Sequence, residues 1–253
     1  MKYIFLLTVA AVALSASTLT DTNFIQQVYL DVLDRPADPT AVAAGLGILA
    51  SNSRQVYALF ILDSNEYRND LVSSYYQSYL SHTPTSGEAV SGLSFLSSGG
   101  TDQELQAGLL GGPEYFADQS SDNTAFVESL FSKLLNRPGS SLEVVPFVTL
   151  LTTSSATRTQ VASALLSTLE YEQDLLNSYL QQYLHRGFAS PDTALLLQLE
   201  APVPNELVQS EILGSAEYYD LAQQEQTPEP ATWALAAIGL AALRIIRDSI
   251  LKS

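Results

Sequence analysis

A pattern of about fifty residues occurs four times in this chain of 253 residues. Each copy carries a Glu-Tyr pair, and a Ser, Thr or Gly stands two residues before the Glu. Repeats of this length are typical of chains that stack one supersecondary unit several times, so the repeat limits the fold more than any other feature does. The four pairs are Glu66-Tyr67, Glu114-Tyr115, Glu170-Tyr171 and Glu217-Tyr218.

The four copies fall into two related pairs. The segment 66–80 matches the segment 170–184 at nine of fifteen positions. We interpret the chain as a duplicated pair of units, with residues 18–119 as the first helical repeat pair and residues 120–222 as the second. Other matches lie 102 residues apart: Phe24 with Phe126, Leu33 with Leu135, Arg35 with Arg137 and Pro36 with Pro138.

The apolar spacing inside each unit is helical. Tyr67, Leu71, Tyr75 and Tyr79 are four residues apart and would share one helix face. A hydroxyl residue before Glu-Tyr can cap a helix start, and a Glu in the first turn meets the positive end of the helix dipole. The sequence therefore predicts an all-α fold of four tandem helical units in two duplicated pairs.

One segment is ambiguous between strand and helix. Residues Leu142–Thr153 are rich in β-branched residues and could form a strand, whereas the matching segment 40–50 has a helical composition. We predict a helix there, starting near Pro146, because a proline is tolerated at the first turn of a helix.

The repeat resembles a known family. The pattern F-[IV]-x-x-[VL]-[YF]-x-x-[VL]-L-x-R-P, followed about thirty residues later by S-x-E-Y, is similar to a helical domain of unknown function in secreted bacterial proteins. That domain in turn resembles the linker domains of phycobilisomes, and the resemblance covers residues 21–225. This chain departs from the family pattern at Asp34 and Asn136, where the family usually has Gly. The second and fourth units have also lost the Arg-Pro pair and carry His82-Thr83 and Arg186-Gly187 instead.

The first seventeen residues predict an export signal. Lys2 is followed by an apolar run, and small residues then offer a cleavage site. We therefore predict a secretory signal peptide over residues 1–17, with an uncleaved anchor as the alternative. The partners that this implies are signal peptidase and the general secretion machinery.

The C-terminal segment predicts a sorting signal. A linker over 223–230 ends in Pro228-Glu229-Pro230, an apolar run follows, and basic residues come last. This order resembles the PEP-CTERM tail, which implies recognition by an exosortase-type enzyme in the envelope of a Gram-negative bacterium and an association with exopolysaccharide. We predict a transmembrane helix over 231–247 and a cytoplasmic tail over 248–253, with a buried or amphipathic helix as the alternative. Trp233, Arg244 and Arg247 would flank the membrane.

The charge of the body excludes one class of partner. Between the two terminal segments lie seven basic and 25 acidic residues, a net charge near −18. Nucleic acid binding needs Lys and Arg for the phosphates, so nucleic acid is not an expected partner. An acidic group at Asp31, Asp34 and Asp38 could take calcium, but helix capping explains it more simply.

Motifs for catalysis, cofactors or metals are missing from the sequence. The chain has no cysteine and two histidines, and it contains no nucleophile elbow, phosphate-binding loop or paired-histidine helix. His82 stands at the position of the repeat arginines, and His185 stands one position earlier. We also expect Glu66 or Glu170 to pair with a repeat arginine such as Arg35 or Arg137. No catalytic, cofactor or metal residue is predicted.

These features together predict a non-catalytic exported protein. It would be tethered to the inner membrane as a precursor and then presented at the cell surface or in the extracellular matrix. Its helical body would serve adhesion or assembly, with exopolysaccharide or other surface proteins as partners. The alternatives are a carbohydrate- or protein-binding module with a defined groove and, third, an envelope hydrolase without a recognisable motif.

Overall fold

The computed structural model describes residues 19–200 and 204–225, and all regular structure in these two ranges is helical. The all-α prediction is therefore confirmed for this part of the chain. The predicted signal peptide, the Pro228–Pro230 motif and the predicted transmembrane helix lie outside the described residues. Within the described ranges, no helix has the length and apolar character needed to cross a membrane.

The order of helices in the first half is repeated in the second, so that α1–α7 correspond to α8–α14. In the first half, residues 19–33 form α1, and the following elements are α2 (Pro39–Leu49), α3 (Arg54–Leu62), α4 (Asn65–Tyr75, continued by a π-helical turn Tyr76–Leu80), α5 (Ser86–Ser97), α6 (Asp102–Leu110) and α7 (Pro113–Asp118). The second half contains α8 (Asn123–Leu134), α9 (Ser141–Thr152), α10 (Arg158–Leu166), α11 (Leu169–Leu184), a 3₁₀ turn Ser190–Asp192, α12 (Thr193–Leu199), α13 (Asn205–Gly214) and α14 (Ala216–Glu225).

The ambiguous segment Leu142–Thr153 is helical, as predicted, but α9 starts earlier than Pro146. The helix starts at Ser141 because Ser140 and Glu143 form a capping box, in which the Ser140 amide donates to Glu143 Oε2 at 2.8 Å. Pro146 removes the backbone hydrogen bond to the carbonyl of Leu142. Leu142 is 89% exposed, so water can take the place of that bond.

Each of two hydrophobic cores combines helices from both halves of the chain. In the first core, α1 and α3 pack against α11–α14, and Phe24, Tyr57 and Leu213 are buried there. In the second, α6 and α7 pack against α8–α10, around Leu110 and Phe131. The first unit therefore packs on the fourth, and the second on the third.

Two glycines allow the closest of these contacts. A Cβ atom on Gly111, at the end of α6, would lie 2.5 Å from Thr159 Cα in α10. A Cβ atom on Gly214, the last residue of α13, would lie 2.6 Å from Gln55 Cα in α3. The two glycines occupy corresponding positions in the halves, so the α6–α10 and α3–α13 contacts are repeats of one another.

Candidate functional site

The long first helix of each unit ends in the same backbone geometry. A left-handed residue stops a helix, and Gly, Asn and Asp adopt that conformation with least strain. Asp34 and Asn136 therefore satisfy the same requirement for a left-handed backbone as the Gly that the family usually has there. At these four helix ends the left-handed residues are Asp34 (φ 50°), Ser81 (φ 60°), Asn136 (φ 49°) and His185 (φ 53°).

The next residue in each unit reaches the Glu of the following Glu-Tyr pair, and we call this contact a clasp. Arg35 Nη2 donates to Glu66 Oε2 at 2.6 Å, and Arg137 Nη2 donates to Glu170 Oε2 at 2.7 Å, so the pairings suggested by the sequence are present. The other two clasps join Arg186 Nε to Glu217 Oε1 at 2.7 Å and His82 Nε2 to Glu114 Oε1 at 2.9 Å. Each clasp ties the end of one helix to the start of another.

A second carboxylate completes three of the four clasps. Arg137 Nη2 donates to Glu143 Oε1 at 2.7 Å, and Arg186 Nη1 donates to Asp192 Oδ2 at 2.7 Å. Glu88 holds the corresponding position beside His82, and it also caps α5. The hydrogen bond from Arg137 lowers the pKa of Glu143 to about 2. These contacts give the repeat residues a structural role.

The tyrosine of each Glu-Tyr pair reaches into the interior. Tyr115 donates to Ser129 Oγ at 3.0 Å, and Tyr218 donates to Asp31 Oδ2 at 2.7 Å. Tyr171 donates to Gln106 at 3.2 Å, and Tyr67 donates to Gln209 at 3.3 Å. All four bonds join opposite halves of the chain, and the bond from Tyr115 to Ser129 does so between the adjacent helices α7 and α8.

Between the two cores lies a polar seam, built from tyrosines of α4 and α11 and from polar residues of α6 and α13. Gln106 Oε1 accepts from Tyr79 at 2.6 Å as well as from Tyr171, and Gln209 Oε1 accepts from Tyr183 at 2.8 Å as well as from Tyr67. Each glutamine therefore bridges both long helices. The seam residues are Tyr67, Tyr75, Tyr79, Tyr171, Tyr183, Asp102, Gln106, Asn205 and Gln209.

The seam buries one carboxylate and shields a second. Asp102 is 3% exposed, and its Oδ2 accepts from Asn205 Nδ2 at 2.9 Å and from the Tyr75 hydroxyl at 3.1 Å. Burial raises its pKa. Burial and, next, the charge of Asp102 raise the pKa of Glu206 to about 7. Perturbed acids accumulate at functional sites, but buried networks with a structural role perturb them as well.

A cleft lies beside the seam. Its volume is about 740 Å³, the size of a small-ligand site, and it lies between the start of α6, the end of α10, the start of α11 and the end of α12. Glu172 is buried in its wall, and burial followed by the charge of Glu200 raises the pKa of Glu172. With Glu104 also in the lining, the cleft favours a cationic or hydroxyl-rich ligand.

Neither histidine is placed to activate a nucleophile. In the described ranges, the His82 ring nitrogens contact the Thr83 carbonyl and Glu114, and the ring packs against Tyr76 with ring centres 5.6 Å apart. His185 Nε2 lies 2.7 Å from Glu225 Oε1. A nucleophile needs a base within hydrogen-bonding distance of its hydroxyl, and these rings face carboxylates instead.

The charged signature residues singled out from the sequence are brought together as clasps, and the signature tyrosines lie in the interior. The sequence analysis does not predict the seam or the cleft. A repeated signal for the seam does exist, since the spacing of Asp102 and Gln106 recurs as Asn205 and Gln209. The predicted flanking residues Trp233, Arg244 and Arg247 lie outside the described residues. Comparison of the chain with models of known families, with curated proteins and with solved structures finds no match.

Proposed function

We propose that this chain is a non-catalytic exported protein of the cell surface or extracellular matrix, with a helical body for adhesion or assembly. One observation carries the proposal for the body. The charged and tyrosine residues of the repeat signature are all engaged in clasps, core contacts or the seam. A repeat whose polar residues serve its own stability supports a structural module better than an enzyme.

The two terminal segments support the proposed route. The signal peptide over 1–17 would direct export by the secretion machinery and signal peptidase. The Pro-Glu-Pro motif, the apolar run and the basic end resemble an exosortase substrate, tethered first to the inner membrane and then released to the surface. The net charge near −18 suits exopolysaccharide or other surface proteins as partners and disfavours nucleic acid.

Intact mass and cell fractionation of the native protein test this route. We expect loss of the first 15–17 residues and cleavage near Pro228–Pro230, with the body outside the inner membrane. The triple variant Pro228→Ala, Glu229→Ala, Pro230→Ala should accumulate as a membrane-bound precursor. The neighbouring variant Gln226→Ala, Thr227→Ala should be processed normally. A wild-type protein that keeps its full C-terminus in the inner membrane would refute the sorting proposal.

The cleft favours a second candidate function, a carbohydrate- or protein-binding module. Its volume of about 740 Å³ fits a short oligosaccharide or a cationic side chain. The test is calorimetric titration with exopolysaccharide fragments and with lysine-rich peptides. Binding that weakens in Glu172→Gln but not in the exposed control Glu128→Gln would support the cleft, and no binding by the wild type would exclude these two ligand classes. Among the described residues nothing favours the envelope hydrolase.

A further inference from the structure

Three clasps contain arginine, and the clasp of the second unit contains histidine. In each arginine clasp, Nη1 donates to the carbonyl of the following residue while other guanidinium nitrogens donate to carboxylates. The carbonyl distances are 3.3 Å for Arg35 to Pro36, 3.3 Å for Arg137 to Pro138 and 3.1 Å for Arg186 to Gly187. A guanidinium carries hydrogen on every nitrogen, so it can make all these contacts at once.

His82 repeats the first contact, but only a protonated ring could also donate to the carboxylate as arginine does. Its Nδ1 lies 2.8 Å from the Thr83 carbonyl oxygen. A carbonyl can only accept, so Nδ1 carries the hydrogen and, in the neutral ring, Nε2 carries a lone pair. Hydrogen bonding of one ring nitrogen to a backbone carbonyl is also how proteins orient a histidine whose other nitrogen binds a metal.

In the neutral ring, the lone pair of Nε2 faces another acceptor. Glu114 Oε1 lies 2.9 Å from Nε2, which is shielded from solvent and has no hydrogen bond of proper alignment. Two acceptors at that distance repel one another unless a cation lies between them. In the other clasps the guanidinium is that cation.

A third ligand stands next to this pair. Glu88 Oε2 accepts from the Thr85 amide at 2.7 Å, which holds the carboxylate at the start of α5, beside the clasp. One ligand atom from each of His82, Glu88 and Glu114 can be chosen so that all three lie within 4.8 Å of one another. Side-chain exposures of 35% for His82 and 52% for Glu114 leave an entry path for an ion.

We propose that His82, Glu88 and Glu114 form a binding site for a divalent transition-metal ion such as Zn²⁺. One imidazole nitrogen and two carboxylates are ligands that Zn²⁺ accepts, and a water molecule would complete a tetrahedral site. The ion would replace the guanidinium of the other clasps and join the end of the α4 helix to α5 and α7. The two positive charges of the ion would neutralise the carboxylates of Glu88 and Glu114. A single proton on His82 would leave the group with a net negative charge.

The test is calorimetric titration of the full-length protein with ZnCl₂, in 1 mM CaCl₂ and 1 mM MgCl₂ to suppress weak binding at the acidic surface. His82→Arg is the decisive variant, because it installs the residue that the other three clasps use and should keep the fold. Glu88→Gln removes one ligand, and His185→Ala removes the only other histidine. The unfolding temperature of each variant, measured without zinc, shows that it is folded.

We expect one Zn²⁺ per wild-type chain and the same affinity in His185→Ala. Binding should weaken at least tenfold in Glu88→Gln and disappear in His82→Arg. The inference is overturned if the wild type binds no Zn²⁺ at 0.1 mM, since a proton alone then bridges His82 and Glu114. It is also overturned if His82→Arg binds as tightly as the wild type, or if removal of His185 abolishes binding.

Discussion

Two glycines three residues apart on α6 should respond oppositely to the same substitution. Gly111 closes the helix end against α10, where a Cβ atom would lie 2.5 Å from Thr159 Cα. Gly108 lies in the last turn of α6, and a Cβ atom there would meet nothing within 4 Å. Gly111→Ala therefore tests the contact between the halves, and Gly108→Ala is its matched control.

The expected magnitudes follow from this geometry. An ordinary carbon–carbon contact is roughly 3.5–4.0 Å, so the helices must separate by about 1 Å to admit the methyl group at position 111. Overpacking a well-filled contact costs about 1–3 kcal/mol. Besides the Thr159 hydroxyl, the backbone N and Cα atoms of Thr159 stand in the way, and these cannot rotate aside. Gly108→Ala should instead stabilise the protein by about 0.5–1 kcal/mol, because alanine loses less backbone entropy in a helix.

Urea unfolding of the full-length protein, followed by circular dichroism, measures both effects. The corresponding variant Gly214→Ala should match Gly111→Ala in sign and size, because its Cβ atom would lie 2.6 Å from Gln55 Cα in α3. If Gly111→Ala is as stable as Gly108→Ala, then α6 does not pack on α10 as described. The packing of the second unit on the third would then be wrong.

Four further substitutions, at three positions, test the seam and a helix end. Glu206→Gln should flatten the pH dependence of urea stability. The pKa of Glu206 is about 7 in the folded protein, above the ordinary glutamate value of 4.5, so folding stability falls by up to about 3 kcal/mol as pH rises between these values. The control Glu128→Gln should keep the wild-type slope. Asn205→Asp would face Asp102 with a second buried carboxylate. It should lose about 2–4 kcal/mol at pH 7 and regain most of that at pH 4 in thermal unfolding, whereas equal losses would contradict repulsion. Asn136→Gly should raise the unfolding temperature and Asn136→Val should lower it, since φ is 49° there, and shifts of the same sign would contradict a left-handed helix end.

The repeat made the helices and the clasps predictable from sequence. Capping chemistry, helical spacing and the chain positions of Arg35 and Glu66 are local signals, and each copy of the repeat strengthens the others. Even the non-glycine helix ends are readable, since Asp34 and Asn136 are among the few residues that tolerate a positive φ. The start of α9 was misplaced because a capping box at Ser140 and Glu143 outweighs one missing hydrogen bond at Pro146.

The pairing of units was not predictable from sequence. Apolar stripes show that α3 and α13 each bury one face, but every unit carries a similar stripe, so the pattern does not select a partner. The selection depends on close approach at Gly111 and Gly214 and on hydrogen bonds between residues far apart in the chain. Those contacts depend on three-dimensional position, which periodicity does not encode.

Duplication within one chain also permits differences that two identical chains could not have. Around a two-fold axis of identical subunits, any residue near the axis faces its own copy. Here Asp102 in α6 donates nothing and accepts from Asn205, the corresponding residue of α13, at 2.9 Å. Two aspartates in that place would repel, and two asparagines would leave the Tyr75 hydroxyl without a carboxylate partner. The same freedom lets a single clasp carry His82 while the other three keep arginine. The two halves therefore share one fold, while the sites that distinguish them occur once per chain.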